Sequence, residues 1–285
     1  MSTTISLEDF RLLRDYIEEH CGIYLSEEKV YLIETRLTKL MAMNGCENFN
    51  EFYQVIKKTS DDKLKDKIID AMTTNETLWF RDGHPFQILQ EVILPEYAEQ
   101  IRSGKKSKVR IWSGASSTGQ EAYSIAMTIL GFCRENPGIR PEHFEIVGTD
   151  ISASALFLAN AGRYDQIAMS RGLDEETRNR YFEKDGNVWQ VKDEIKSMAT
   201  FKKFNLQDSP SILGRFDVVF LRYVAIYFSE EFKRGLFERI ETSLNPPGYF
   251  IIGAVESLRG LNETFGNVRH GNGYYYTMDK KGNAQ

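Results

Sequence analysis

Val109-Arg-Ile-Trp-Ser-Gly114 runs into Ala-Ser-Ser-Thr-Gly (115–119) and then into QEAYSIAMTILGFCR (120–134). The first piece is a short apolar run that ends in a Ser-Gly turn. The second is made of small residues. The third carries apolar side chains at helical spacing. Strand, tight turn and helix in that order open a parallel α/β sheet. The pattern returns downstream. FEIVGTD (144–150) is a second apolar run, closing on an acid, and Ala153–Ala161 reads as helix. RFDVVFL (215–221) is a third, followed by a helix from about Glu230 to Leu244. Asn245-Pro-Pro-Gly248 reads as a turn before a fourth run, YFIIGAV (249–255). NVRH and YYYTM, joined through Gly271–Gly273, read as an antiparallel hairpin.

One segment breaks the alternation. RYFEKDGNVWQV (180–191) sets Asp185-Gly186 between two strand-like runs, which predicts a small antiparallel insertion near 178–200. Upstream of the sheet the chain reads as helix only. Ser6 precedes Leu7, Phe10, Leu13 and Ile17, and Gly22 follows them: a cap, one apolar face and a stop. Ser26 opens a second helix, with Val30, Ile33, Leu37, Leu40 and Met41. Asn48 or Asn50 opens a third, and Leu64, Ile68, Ile69 and Met72 mark a fourth. The expected organisation is a helical domain over 1–72, then a linker and connecting helix over 73–107. An α/β domain with its β insertion fills 108–285. Pro85 suits the first turn of the connecting helix and Pro95 should kink it. The final DKKGNAQ (279–285) is expected to fray.

Composition narrows the function. With 36 Lys plus Arg against 41 Asp plus Glu, the net charge is −5, which argues against a nucleic-acid-coating role. At 41% hydrophobic and 27% charged residues the chain is an ordinary globular one, neither disordered nor a disulfide scaffold. The three cysteines are scattered and the four histidines lack ligand spacing, so no metal is expected. No apolar run approaches a bilayer span, and the acidic, helix-capping start is unlike a signal peptide, so a cytoplasmic protein is expected.

The turn at 114–121 decides among ligands. Gly114 and Gly119 have P-loop spacing, but Gln120 and Glu121 replace the Lys and Ser/Thr that hold phosphate. Thr118 spoils the nucleophile elbow GxSxG, and Ser116 spoils the dinucleotide fingerprint GxGxxG. What remains is a small-residue turn, the carboxylate of Glu121, and Asp150 at the second strand's end, where an acid can accept hydrogen bonds from a ribose. That set suits a nucleoside without phosphates, such as the cationic S-adenosylmethionine. Small residues in this turn are also common to α/β proteins of every kind.

Four segments resemble the CheR-type chemotaxis receptor methyltransferases. Thr74-Asn-Glu-Thr-Leu-Trp-Phe-Arg-Asp82 is similar to that family's TN-x-T-x-FFR-(D/E). Trp112-Ser113 through Tyr123-Ser-Ile-Ala-Met127 resembles WS-A-(A/G)-x-S-x-GEEPYSIAM. Gly148-Thr-Asp-Ile-Ser152 resembles (A/G)TDIS, and Phe216-Asp217 through Ile226-Tyr-Phe228 resembles FD-x-(I/V)-x-CRN-x-x-IYF. The resemblance implies a Rossmann-like S-adenosylmethionine-dependent methyltransferase domain with a β insertion, preceded by an all-helical domain. It implies methyl transfer to glutamate side chains of chemoreceptors. Cofactor contacts carry over to Asn75, Thr77, Arg81, Glu121, Asp150, Asn205, Leu206, Arg222 and Tyr223. Arg81 and Tyr227 align with positions beside the transferred methyl, and Arg36 and Lys39 with the receptor-docking helix. The implied partner is the cytoplasmic helical region of chemoreceptors, with no nucleic acid and no membrane insertion. The short insertion hairpin predicts no tight tether to a receptor's C-terminal peptide. Gln120, Ala122, Leu221 and Tyr223 depart from the pattern, Tyr223 placing a phenol where the family has Asn. These departures motivate a second reading, a non-catalytic or weakly cofactor-binding signalling module. An RNA or small-molecule methyltransferase is disfavoured by the charge and by the absence of an NPPY-type motif after Leu221.

Overall fold

The computed structural model describes residues 4–59 and 62–278. The C-terminal segment expected to fray lies outside the described residues. Four helices come first: α1 (Leu7–Cys21), α2 (Val30–Met43), α3 (Phe49–Lys58) and α4 (Asp62–Met72). Their ends are set locally. Ser6 Oγ accepts the Asp9 N–H at 3.0 Å, and Gly22 takes the left-handed backbone (φ 75°) that stops α1. Asn48 caps α3 by accepting the Glu51 N–H. Ser26 opens a 3₁₀ turn, Glu27–Lys29, ahead of α2. Phe10, Leu13, Ile17, Ile33, Leu37, Phe52 and Ile68 form one buried cluster, so each helix buries one face and none would be stable alone.

A loop, Thr73–Gly83, leads to α5 (His84–Ile88), a π turn (Leu89–Ile93) and α6 (Leu94–Arg102). The π turn lies just before Pro95, in the first turn of α6, where the missing N–H costs the helix nothing.

The second domain runs β1 (Val109–Gly114), α7 (Gln120–Glu135), β2 (Phe144–Asp150), α8 (Ala153–Ala161), β3 (Arg163–Asp165), α9 (Gln166–Met169), α10 (Glu175–Tyr181), β4 (Phe182–Asp185), β5 (Val188–Val191), α11 (Asp193–Lys196), β6 (Ala199–Lys203), β7 (Phe216–Leu221), α12 (Glu230–Ser243), β8 (Leu244–Ile252), β9 (Gly266–His270) and β10 (Gly273–Thr277). The large sheet has the order β6-β2-β1-β7-β8-β10-β9. The first five strands are parallel, and β10 is antiparallel to both neighbours. Strand order reverses between β1 and β7, so the crevice at their carboxyl ends is the topological switch point.

The small antiparallel sheet, β3-β5-β4, has its hairpin inside the 178–200 expected for it but begins earlier, at Arg163. The hairpin is β4–β5, but its third strand comes from Arg163–Asp165, straight after α8. Ala199–Lys203 instead pairs in parallel with β2 as the edge of the large sheet. Asn245–Gly248 is likewise part of β8 rather than a separate turn. The ladder steps from Phe216–Leu244 to Val218–Tyr249, and the bulge absorbs those four residues.

Candidate active site

A cleft of about 1000 Å³, open to solvent at its mouth, lies over the carboxyl ends of β1, β2 and β7. The turn after β1 forms its floor, with Ala115 (φ 53°) and Ser117 (φ 49°) in left-handed backbone. The loop 73–81 passes across it, and Cys21 and Ile23, at the end of α1, close one wall. The switch point, the interdomain loop and the helical domain therefore share one cavity.

That loop is nailed down on its far side. Trp79 is fully buried and packs edge-on against Tyr164 and Phe182, and its backbone N–H donates to Arg171 O at 3.2 Å. Glu76 pairs with Arg171, and that guanidinium holds the Glu76 carboxyl below its usual range. A Cβ on Gly172 would lie 2.0 Å from Trp79 O, so only glycine fits there.

Arg222 is the hub of the floor. Its side chain is 2% exposed, with one end of the guanidinium 2.9 Å from Glu121 Oε2 and the other 2.7 Å from both Asp82 Oδ2 and the Arg81 carbonyl. Ser113 Oγ donates to the second Glu121 oxygen at 2.8 Å. Tyr223, next in sequence, has φ 58° and donates its hydroxyl to the same Asp82 Oδ2 at 2.7 Å. Arg81 lies over the Tyr223 ring, 3.6 Å from its centroid, and reaches Glu76 O at 3.3 Å. Arg81 and Asp82 are neighbours in sequence, yet Asp82 binds Arg222 and Tyr223 instead.

Asp150 is buried at the end of β2. Its Oδ2 accepts the Ser117 N–H at 2.8 Å and its Oδ1 the Ser152 N–H at 2.9 Å. Burial pushes its pKa up, and those backbone donors partly offset the rise. Each oxygen keeps lone pairs for a further donor. Ser116 Oγ, also lining the cleft, is buried and has no hydrogen-bond partner among the described residues.

All ten cleft residues expected from sequence line this one cavity: Asn75, Thr77, Arg81, Glu121, Asp150, Asn205, Leu206, Arg222, Tyr223 and Tyr227. The Tyr227 hydroxyl has no hydrogen-bond partner among the described residues. Asn205 is already committed: its amide donates to His20 O at 2.8 Å and to Gln207 Oε1 at 3.0 Å. Gln207 donates to Glu18 O and Glu19 O, both at 3.1 Å. These two side chains donate to carbonyls at the end of α1, where Glu18 O also accepts the Gly22 N–H, so they weld the helical domain to the cleft.

Arg36 and Lys39 lie outside the cleft and are not alike. Lys39 is exposed. Arg36 donates to Met72 O at 2.6 Å, Thr73 O at 3.2 Å and Thr74 Oγ1 at 3.0 Å, fastening the start of the cleft loop. Of the four departures from the motif pattern, only Tyr223 lines the cleft. Gln120 and Ala122 are buried in α7, and Leu221 packs against Gly114.

Two family profiles cover nearly the whole chain: "CheR methyltransferase, all-alpha domain" over residues 8–73 and "CheR methyltransferase, SAM binding domain" over residues 75–273. The chain belongs to the CheR methyltransferase family. It is 45% identical over 269 residues to chemotaxis protein methyltransferase 1 of Pseudomonas aeruginosa, covering 94% of this chain and 97% of the relative. It is 43% identical over 269 residues to chemotaxis protein methyltransferase Cher2 of Pseudomonas putida, with the same coverage. With the chemotaxis protein methyltransferase of Vibrio parahaemolyticus the identity is 42% over 276 residues, 96% of this chain and 98% of the relative.

This CheR chain is thus an S-adenosylmethionine-dependent methyltransferase, and its cleft fits that cofactor. Glu76, Glu121 and Asp150 line it against Arg81 and Arg222, which leaves an excess of negative charge. A sulfonium is favoured there and a polyphosphate is repelled. Among the described residues, no cluster of His, Cys, Asp or Glu could hold a metal.

Several structural residues of the site escaped the sequence reading. Glu256 Oε2 accepts from Tyr223 N at 2.7 Å and from Gly253 N at 2.8 Å, holding the turn after β7 in its left-handed form. Gln207 and Gly172 act through backbone partners far away in sequence, which no local pattern announces, and Ser113 acts through the Glu121 carboxylate one strand-to-helix turn on. Asp82 was legible only as part of the FR(D/E) segment.

Proposed function

We propose that this chain methylates glutamate side chains on the cytoplasmic helices of chemoreceptors, with Asn75, Thr77, Glu121, Asp150, Leu206 and Arg222 forming the cofactor site. The observation that carries the reading is Arg81. It lines the same cleft as Tyr227, and among the described residues four of its five N–H donors have no protein partner. The 42–45% identity to chemotaxis methyltransferases supports the acceptor class.

When bound, S-adenosylmethionine supplies an electrophilic methyl on a sulfonium. A glutamate, with a pKa of about 4.3, arrives ionised at neutral pH and needs no general base. The protein's task is then alignment and partial desolvation. Arg81 offers the carboxylate one edge of its guanidinium. A one-sided contact leaves the attacking oxygen free and avoids over-stabilising the ground state. Tyr227 has a hydroxyl available for a substrate oxygen.

Lys39 adds a surface cation for an acidic receptor helix. No tight tether to a receptor's C-terminal peptide is expected, because β4 and β5 are only four residues each. The test is incorporation of radiolabelled methyl into receptor-containing membranes, with release of the label as methanol in alkali. Label in receptor glutamates is the expected result. Tight cofactor binding without any transfer to receptor would leave the acceptor assignment wrong.

A further inference from the structure

We propose that Tyr223 is a positioning residue: its ring is the platform that holds the Arg81 guanidinium in the orientation that meets the acceptor carboxylate. The inference rests on the reading of Arg81 as the acceptor clamp.

Three independent features converge on this ring. The guanidinium carbon of Arg81 lies over it, 3.6 Å from the centroid, close enough for the ring's negative face to attract the cation. The hydroxyl is anchored at 2.7 Å to Asp82, which Arg222 holds in turn, so the ring cannot swing away. The backbone is fixed in a left-handed conformation, φ 58°, by Glu256 accepting the Tyr223 N–H. A bulky residue there is uncommon and strained, whereas Asn adopts this conformation readily. The turn therefore carries a phenol against its backbone preference.

The consequence concerns Arg81. A long side chain at a cleft mouth samples many rotamers, and each productive encounter must freeze it. Stacking takes up one face of the guanidinium and Glu76 O takes one N–H, which fixes the plane and leaves an edge for a carboxylate. The ring stands under the clamp, and the cofactor's own contacts come from Asp150, Asn75 and Glu121.

Tyr223→Asn tests this, because it removes the ring while suiting the backbone, so loss of the fold does not confuse the result. The expected outcome is roughly a tenfold drop in kcat/KM for the receptor acceptor. The KM for S-adenosylmethionine and the affinity for S-adenosylhomocysteine change far less than the acceptor kinetics. Tyr223→Phe keeps the platform and restores most of the loss. In an Arg81→Met background, where no cation remains over the ring, Tyr223→Asn adds little further effect. Crystals of Tyr223→Asn show Arg81 in several rotamers, and those of Tyr223→Phe show one.

The proposal is overturned if Tyr223→Asn leaves acceptor kinetics unchanged, or if cofactor affinity falls by the same factor as activity. It is equally overturned if the Arg81→Met and Tyr223→Asn effects simply add. Should the wild-type protein label no receptor, the acceptor reading fails by itself, and the crystallographic arm still decides whether the ring orders Arg81.

Discussion

Arg222 and Glu121 are 101 positions apart in sequence and 2.9 Å apart in the cleft floor, where they tie the turn after β7 to the first turn of α7. The same guanidinium holds Asp82 at 2.7 Å, so three separate segments close on one buried cation. Both carboxylates are mostly shielded, with side chains 12% and 22% exposed.

Removing that cation strands two acids. Arg222→Met is expected to lower unfolding free energy by about 3–5 kcal/mol, the cost of breaking a buried pair from one side. Urea denaturation at neutral pH measures it. Glu121→Gln and Asp82→Asn added to Arg222→Met should recover much of the loss, because no orphaned charge then remains. A wild-type midpoint for the single variant would show that water already solvates these groups.

On the proposed reading Arg81 meets the acceptor, and it should then matter for transfer more than for cofactor binding. Arg81→Ala is expected to cut methyl incorporation roughly 100-fold, the scale of a lost alignment. S-adenosylhomocysteine should still bind within a few-fold of wild type, because Asp150, Asn75 and Glu121 are untouched. Full transfer by the variant on receptor membranes would remove Arg81 from the mechanism.

The two docking candidates should separate. Lys39→Glu is expected to raise the KM for receptor several-fold, with a smaller effect at high salt, and to leave cofactor affinity alone. Arg36→Glu should weaken S-adenosylhomocysteine as well, since Arg36 holds the Met72 and Thr73 carbonyls at the root of the loop bearing Asn75 and Thr77. Calorimetry on both variants checks this. Equal cofactor affinity in the two would mean that the loop does not need Arg36.

Sequence reading located the cleft because its parts sit where period and punctuation are strong. Gly114 and Gly119 bracket the turn after β1, Asp150 closes an apolar run, and Ser6 and Gly22 frame α1. The β insertion was harder to delimit. β3 is three residues long and pairs with a strand more than twenty positions away, while Ala199–Lys203 has the look of a hairpin strand and joins the large sheet. A three-residue strand has no periodicity to read, and an edge strand shows its partner only in three dimensions. Arg36 illustrates the same limit. On a helical wheel it is one more surface cation, and only the return of the chain at Met72 turns it into a clasp.

Asp150 gives the cleft a pH dependence whose sign follows from burial. Its folded pKa is raised above the usual value of about 3.9, chiefly by desolvation. The folded state thus holds this proton at pH values where the unfolded chain has lost it. The stability it contributes is full below the unfolded pKa and declines as pH rises through the folded one. Cofactor binding runs the other way. The ionised carboxylate is the better acceptor for ribose hydroxyls, so affinity for S-adenosylhomocysteine should weaken as pH falls through the raised pKa, earlier than an exposed aspartate would allow. Calorimetric titrations over the pH window in which Asp150 ionises should show this decline in the wild type and a flatter, weaker profile in Asp150→Asn. In parallel, the difference in unfolding free energy between wild type and Asp150→Asn should shift against the wild type as pH rises over that window. If both proteins show the same affinity slope with pH, the ribose is held elsewhere, and the two backbone bonds from Ser117 and Ser152 are the whole role of Asp150.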